Sequence, residues 1–328
     1  MDVPRPTAAP PGRLVRLGVV LDTRNPVERL LDVARMCDRA GIGALWVEDA
    51  AEEAAARLDG WTVLALLAGE VRRARVGALL DAAEWAPERL ASMAATLGAR
   101  TGGRLELTLR ADGARLLAFR EALVATTVPA ALAPSGGGDG PAIVPAAGPA
   151  FGSVALPAVP PTLAVEVAAE ELAPEVLVAV DDVLLPMRPP TATVAAAVAV
   201  RRAAAAAGRG WETLGVAARL PVSVGRTVAE AQARWDAEPG FAALGPPAAT
   251  GLFGTLEQCH DRVIALAQAG VTELRCLLPN AIDVHDVIAQ LTAMTIGSAD
   301  KLVPGAPRTR VPEPPAGWGG RSRFPRPD

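Results

Sequence analysis

Short apolar runs alternate with amphipathic stretches along most of the chain. Leu14–Leu21 (LVRLGVVL) reads as a strand interrupted by one arginine. Asn25 and Pro26 follow as a helix start, with asparagine as N-cap and proline at the first helical position, where its missing N–H costs nothing. The predicted helix to Ala40 places Leu30, Val33, Ala34 and Cys37 on one face, and Gly41 ends it. Ala44–Glu48 (ALWVE), Ala74–Leu80 and Arg104–Leu109 (RLELTL) read as further strands. Helices over Gly60–Arg72 and from Pro87 to just before Gly102 separate them. In the second half the predicted strands are Thr162–Val167, Asp182–Leu185, Thr213–Val224 and Glu273–Leu278. The predicted helices there are Glu170–Val180, Thr191–Ala207, Thr227 to about Ala237, Thr255–Ala269 and Asp283–Ile296.

Strands this short and apolar suit a parallel sheet covered on both faces. Eight strand–helix pairs in a chain of this length predict an α/β fold, a (β/α)8 TIM barrel. An open doubly wound sheet is the competitor, weakened because no GxGxxG loop follows the first strand. The barrel requires Leu17, Val19, Leu45, Val47, Val76, Leu105, Leu107, Leu274 and Cys276 to be buried in parallel strands. It is expected to span residues 13–302, after a disordered or extended segment 1–12. Residues 129–161, too long and proline-rich for a plain loop, are expected to form an excursion at the barrel rim, and 303–328 a proline-rich C-terminal tail.

Composition narrows the chemistry. At 51% hydrophobic and 21% charged residues, the chain has material for a full core. A net charge of −4 without a basic excess argues against nucleic acid. Three scattered cysteines, no CxxC pair and two histidines offer neither a disulfide framework nor a metal site. The longest uncharged stretch, Pro141–Val165, carries six prolines and is no membrane span. The expectation is a soluble, reduced, cytoplasmic protein.

Four segments together resemble the bacterial luciferase-like superfamily of flavin- and deazaflavin-dependent oxidoreductases. They are Cys37–Glu48 (CDRAGIGALWVE), Asp59–Leu97, Gly102–Leu109 (GGRLELTL) and Gly254–Leu277. The resemblance implies a (β/α)8 barrel and FMN or the 5-deazaflavin coenzyme F-420 as cofactor. It also implies a small-molecule substrate, and a homodimer or a hetero-pair with a related barrel. Small residues on the second and third helices (Ala65, Leu66, Ala68, Gly69; Ala91, Ala94, Ala95, Gly98) suit such pairing. The chain also departs from the family pattern. Arg110 and Asp112 stand where the family runs through glycines, and Asp49 where it has histidine. Glu166, Glu170 and Glu171 stand where small residues would hold a phosphate.

In a barrel, chemistry sits at the C-terminal ends of the strands. The polar residues expected there are Asp22, Glu48, Asp49, Asp81, Glu84, Arg110, Asp112, Asp181 and Asp182. Asp49, Asp81 and Arg110 are the catalytic candidates, the carboxylates as a general acid or as partners of Arg110 in orienting substrate. Trp46, Asp112, Gly254 and Thr255 are the cofactor-binding candidates. Each has a plainer alternative: helix caps for the aspartates, core for Trp46, and a capping box between Thr255 and Gln258. Two functions stay open. One is an oxidoreductase using reduced flavin or deazaflavin; the other is a degenerate, non-catalytic barrel that has lost the cofactor and serves as partner or scaffold.

Overall fold

The computed structural model describes residues 15–48, 58–127, 161–168, 172–210, 213–279, 285–286 and 288–294. Its first half runs β1 (Arg16–Leu21), α1 (Val27–Ala40), β2 (Ala44–Glu48), α2 (Gly60–Glu70), β3 (Arg75–Asp81), α3 (Pro87–Thr101), β4 (Leu105–Arg110) and α4 (Gly113–Thr127). A 3₁₀ turn, Ala82–Glu84, joins β3 to α3. The second half continues with β5 (Thr162–Glu166), α5 (Pro174–Ala179), β6 (Asp182–Leu185), α6 (Pro190–Ala206), β7 (Gly215–Gly225) and α7 (Val228–Asp236). It closes with α8 (Pro239–Ala242), α9 (Pro247–Thr250), β8 (Leu252–Thr255), α10 (Leu256–Ala269) and β9 (Glu273–Leu277).

Seven strands, β1 to β7, pair in order, and β9 joins β7 back to β1, so eight parallel strands close a ring. β8 lies outside this ring. It pairs with the far half of β7, Val222–Gly225, beyond the residues of β7 that pair with β9. The eight ring strands are the eight predicted ones. Leu17, Val19, Leu45, Val47, Val76, Leu105, Leu107, Leu274 and Cys276 are at most 3% exposed, and all face the helices in one cluster. The segments 1–12, 129–161 and 303–328 lie outside the described residues, apart from Pro161.

Local signals explain most boundaries. Gly41, Gly102 and Gly270 end α1, α3 and α10 in the left-handed conformation that glycine adopts without strain. At α1 the expected cap is absent: Pro26 is the N-cap, and the Asn25 amide donates to the Asp22 carbonyl instead. α4, which the sequence pattern does not single out, buries Leu116, Phe119 and Leu123. The expected pairing surface changes in the same region. Ala91, Ala94, Ala95 and Gly98 are buried within the chain, where α3 packs on α2 and α4. They are therefore not available to a partner, whereas Ala65, Leu66 and Gly69 of α2 remain exposed.

One carboxylate pins the turn that leads into β3. Asp38 of α1 accepts the backbone N–H groups of Arg72, Arg73 and Ala74 at 3.2, 2.9 and 2.7 Å. Partial burial opposes its charge, but these donors outweigh it and hold the carboxyl below its ordinary range. Asp38→Ala is expected to cost about 2 kcal/mol in a urea melt at neutral pH. A depressed carboxylate stabilises above its unfolded value, so the difference from wild type should shrink as pH falls through the carboxylate range. A deficit that persists unchanged in acid would contradict this role.

Candidate functional site

Strand residues alternate between the helix layer and the barrel interior, so the inward residues can be read off in layers. The base of the interior, at the strand N-termini, is ionic. Arg16 bonds Glu273, and Arg16 and Arg75 stand 3.6 and 3.4 Å from the two oxygens of Glu106. Asp182, at the start of β6, lies among the same charges. Burial first, and Glu273 next, push Glu106 up to about 7, and the same two causes raise Asp182.

The middle layer is filled. Trp46 lies across the interior with the Arg275 guanidinium 3.2 Å from its ring centroid. Arg275 also donates to Thr108 Oγ1 at 2.8 Å and to Glu273 Oε1 at 3.2 Å. A Cβ on Gly77 would stand 2.3 Å from Trp46 Cζ3, so the neighbouring strand must carry glycine for the indole to fit.

Near the mouth, charges form a ladder. Arg219 of β7 reaches Glu48 at 2.7 Å and Glu166 at 3.3 Å, and Arg110 holds Glu166 through Nε at 2.9 Å and Nη2 at 2.8 Å. Two guanidiniums and two carboxylates thus brace β2, β7, β5 and β4. Arg219 uses both terminal nitrogens in the ladder, while its Nε is buried without a hydrogen-bond partner among the described residues. At this end lies a cavity of about 190 Å³, between the ends of β1 and β9 and the segment carrying Gly240, Phe241 and Leu244.

The predicted residues fall into place unevenly. Arg110 and Glu166 meet as an ion pair. Asp81 accepts the Ala83 N–H at 2.9 Å and caps the 3₁₀ turn, and Asp112 accepts the Arg115 N–H at 2.8 Å at the start of α4. Trp46 is 1% exposed in the interior, its ring covered by Arg275. Thr255 forms the capping box with Gln258, and Gly254, at φ +117°, packs against the Gln258 side chain. Asp49, Glu170 and Glu171 lie outside the described residues. Asp181 and Asp182 are corrected: β6 begins at Asp182, so both sit at the base, where Asp181 accepts the Leu163 N–H at 2.9 Å.

Arg219 and Arg275 were not among the expected site residues. Their signal is a single arginine in a mainly apolar strand, as at Arg16, accompanied in β9 by Glu273. The cysteines contribute no nucleophile: burial pushes the thiols of Cys37 and Cys276 up to about 12 and that of Cys259 up to about 11. Among the described residues no three His, Cys, Asp or Glu side chains are placed to hold a metal ion, and no helix is long and apolar enough to cross a membrane.

Residues 13–115 match the family model of the luciferase-like monooxygenases. No curated protein matches in sequence. Among solved structures, the coenzyme F420-dependent tetrahydromethanopterin reductase of Methanopyrus kandleri is similar at TM-score 0.62 and 15% identity, over 87% of this chain and 99% of that one. The EDTA monooxygenase EmoA of Chelativorans sp. BNC1 is similar at 0.62 and 15%, over 90% and 96%. The monooxygenase RslO1 of Streptomyces bottropensis is similar at 0.60 and 16%, over 85% and 98%. At these identities the likeness is one of fold.

Proposed function

From a chain that is luciferase-like in sequence over residues 13–115 and a luciferase-like closed barrel in fold, we propose an oxidoreductase that acts on a small organic molecule at the C-terminal mouth, with reduced FMN or the deazaflavin coenzyme F-420. The observation that carries this reading is the matched segment itself, residues 13–115, which takes in strands β1 to β4 and with them Glu48 at the mouth. When bound, such a cofactor supplies hydride or oxygen chemistry at its ring.

The residues present fit the ring end of such a group. A planar heterocycle carries carbonyl and ring-nitrogen acceptors, and Arg219 Nε is a buried donor in need of one. Arg219 would hold the ring, and Glu48 and Glu166 would fix the guanidinium that does so. Phosphate fits less well. The N-terminus of α10 is closed by its own capping box, and Arg110 and Arg219 are both committed to carboxylates. Glu166 is nevertheless not a bare charge. It lies between two guanidiniums, which removes much of the roughly 4 kcal/mol repulsion that an uncompensated carboxylate would exert on a phosphate at close range.

The same ladder favours a second reading, the non-catalytic partner barrel, since Arg110 and Glu166 occupy space that a glycine-lined loop would leave to a cofactor. Calorimetric titration with FMN and with F-420 separates the two. Wild type is expected to bind one of them at micromolar concentration. Arg219→Met should weaken binding about tenfold or more through loss of a charged hydrogen bond, while Arg110→Gly, at the outer end of the ladder, should retain it. No binding by wild type at high micromolar concentration of either cofactor would remove the oxidoreductase reading and leave the partner.

A further inference from the structure

We propose that the mouth cavity takes a small, neutral, mainly apolar molecule and excludes ions of either sign. This rests on the reading that substrate sits at the mouth, and it adds the class of substrate. Much of the lining is apolar. Val20 and Leu277, from the ends of β1 and β9, pack with Trp46, which fills the interior. Met187, after β6, and Phe241 and Leu244, in and after α8, extend this apolar surface.

The charged residues of the lining are Asp22, Arg24, Glu48 and Glu238, and each is already engaged. Arg24 grips both oxygens of Asp22, with Nε at 3.0 and 2.9 Å and Nη2 at 2.6 Å. The same Nη2 stands 3.8 Å from Glu238. Asp22, Arg24 and Glu238 each make a further interaction besides these. Glu48 is held by Arg219 at 2.7 Å. Every charged residue of the lining therefore has a partner within the protein. An ion entering the cavity must break one of these pairs or shed its hydration among apolar side chains. A neutral molecule does neither, and it gains the apolar surface.

The outer wall is held in place, so the cavity has a set size. Trp235 of α7 packs on Phe241 at 4.9 Å and edge-on to Phe253 at 6.2 Å, and Leu244 packs on the same cluster. A cavity of about 190 Å³ holds on the order of six waters at about 30 Å³ each, so the ligand is limited to a short chain or a single ring.

The test is calorimetry on the full chain at neutral pH, without flavin. Hexan-1-ol, hexylamine and hexanoate probe charge at equal chain length, and butan-1-ol and octan-1-ol probe size. Hexanol is expected to bind about tenfold tighter, or more, than either ion. Each methylene buried between butanol and hexanol should tighten binding about three- to fourfold, and octanol, which outgrows the cavity, should add less than about threefold in all. Leu244→Trp, which narrows the cavity, should weaken hexanol about fivefold or more while circular dichroism stays native. Should that variant unfold, Met187→Trp, at an exposed position of the lining, supplies the same test. Either ion binding as tightly as hexanol, affinity that climbs at an undiminished rate to octanol, no binding of any probe, or a folded variant that binds like wild type would each overturn the proposal. Because no cofactor enters the assay, these outcomes are independent of whether the barrel binds flavin.

Discussion

Arg275→Met is expected to lower the unfolding free energy by about 3–5 kcal/mol, among the largest effects of any single change in the barrel. Arg275 is 1% exposed and sits between the ionic base and Trp46. Its guanidinium neutralises Glu273, bonds Thr108 and covers the indole ring. Methionine replaces the volume of the stem but leaves Glu273, itself 1% exposed, with Arg16 as its remaining close cation, and Glu106 with Arg16 and Arg75. The cost comes from stranding buried negative charge, not from losing a favourable pair. The double variant Arg275→Met/Glu273→Gln should therefore recover a substantial part of the loss. Urea melts of both variants decide it. A single variant within about 1 kcal/mol of wild type would mean that the base is hydrated enough to tolerate bare carboxylates.

The outer layer of the barrel is legible in the sequence because parallel strands buried on both faces appear as continuous apolar runs. Leu105, Leu107 and Leu109 against the helices, and Glu106 and Thr108 toward the axis, are already separated by period two in LELTLR. β8 is not legible. Its four residues, LFGT, run straight into the Thr255 capping box, and the helix signal dominates so short a strand. α4 escapes for a different reason: Leu116, Phe119 and Leu123 share one buried face at i, i+3 and i+7, but Leu117 and Val124 broaden the apolar arc past it, and Val124 is exposed. At α1, Asn25 does make a side-chain hydrogen bond, but within the turn to Asp22 and not to the helix.

The site is less legible, because its charges find partners far apart in the chain. Arg110 and Glu166 are separated by 56 residues, and Arg219 joins Glu48 and Glu166 from β7. Nothing local announces those pairings; they follow only when the ring closes and brings β2, β4, β5 and β7 to one mouth. The lone arginines of β1, β7 and β9 are the visible trace. A charge in an apolar strand must face a partner or water, and the axis of a closed barrel is the one place where strands from opposite ends of the sequence can supply that partner. Direction along the strand matters equally. Asp182 has the composition of a mouth residue, but it begins its strand and so belongs to the base.

That base is expected to withdraw stability as pH rises through the weakly acidic range. Glu106 is 1% exposed, and burial together with Glu273 lifts its carboxyl from an ordinary 4.5 to about 7, against the pull of Arg16 and Arg275. Asp182 is raised by the same burial and by the same neighbour. Between these two values the folded chain keeps a proton that the unfolded chain has released, so folding takes up a proton. The stabilisation is complete below the unfolded value and is lost as pH rises through about 7, above which the folded state carries an unfavourable charge. A shift of this size corresponds to about 3 kcal/mol over the window. Glu106→Gln mimics the protonated carboxyl at every pH. It should flatten the slope and be at least as stable as wild type in mild alkali, though no better in acid. Urea melts of both proteins across the window test this. A wild-type stability that is flat or rises with pH, or a variant that keeps the wild-type slope, would assign the proton elsewhere.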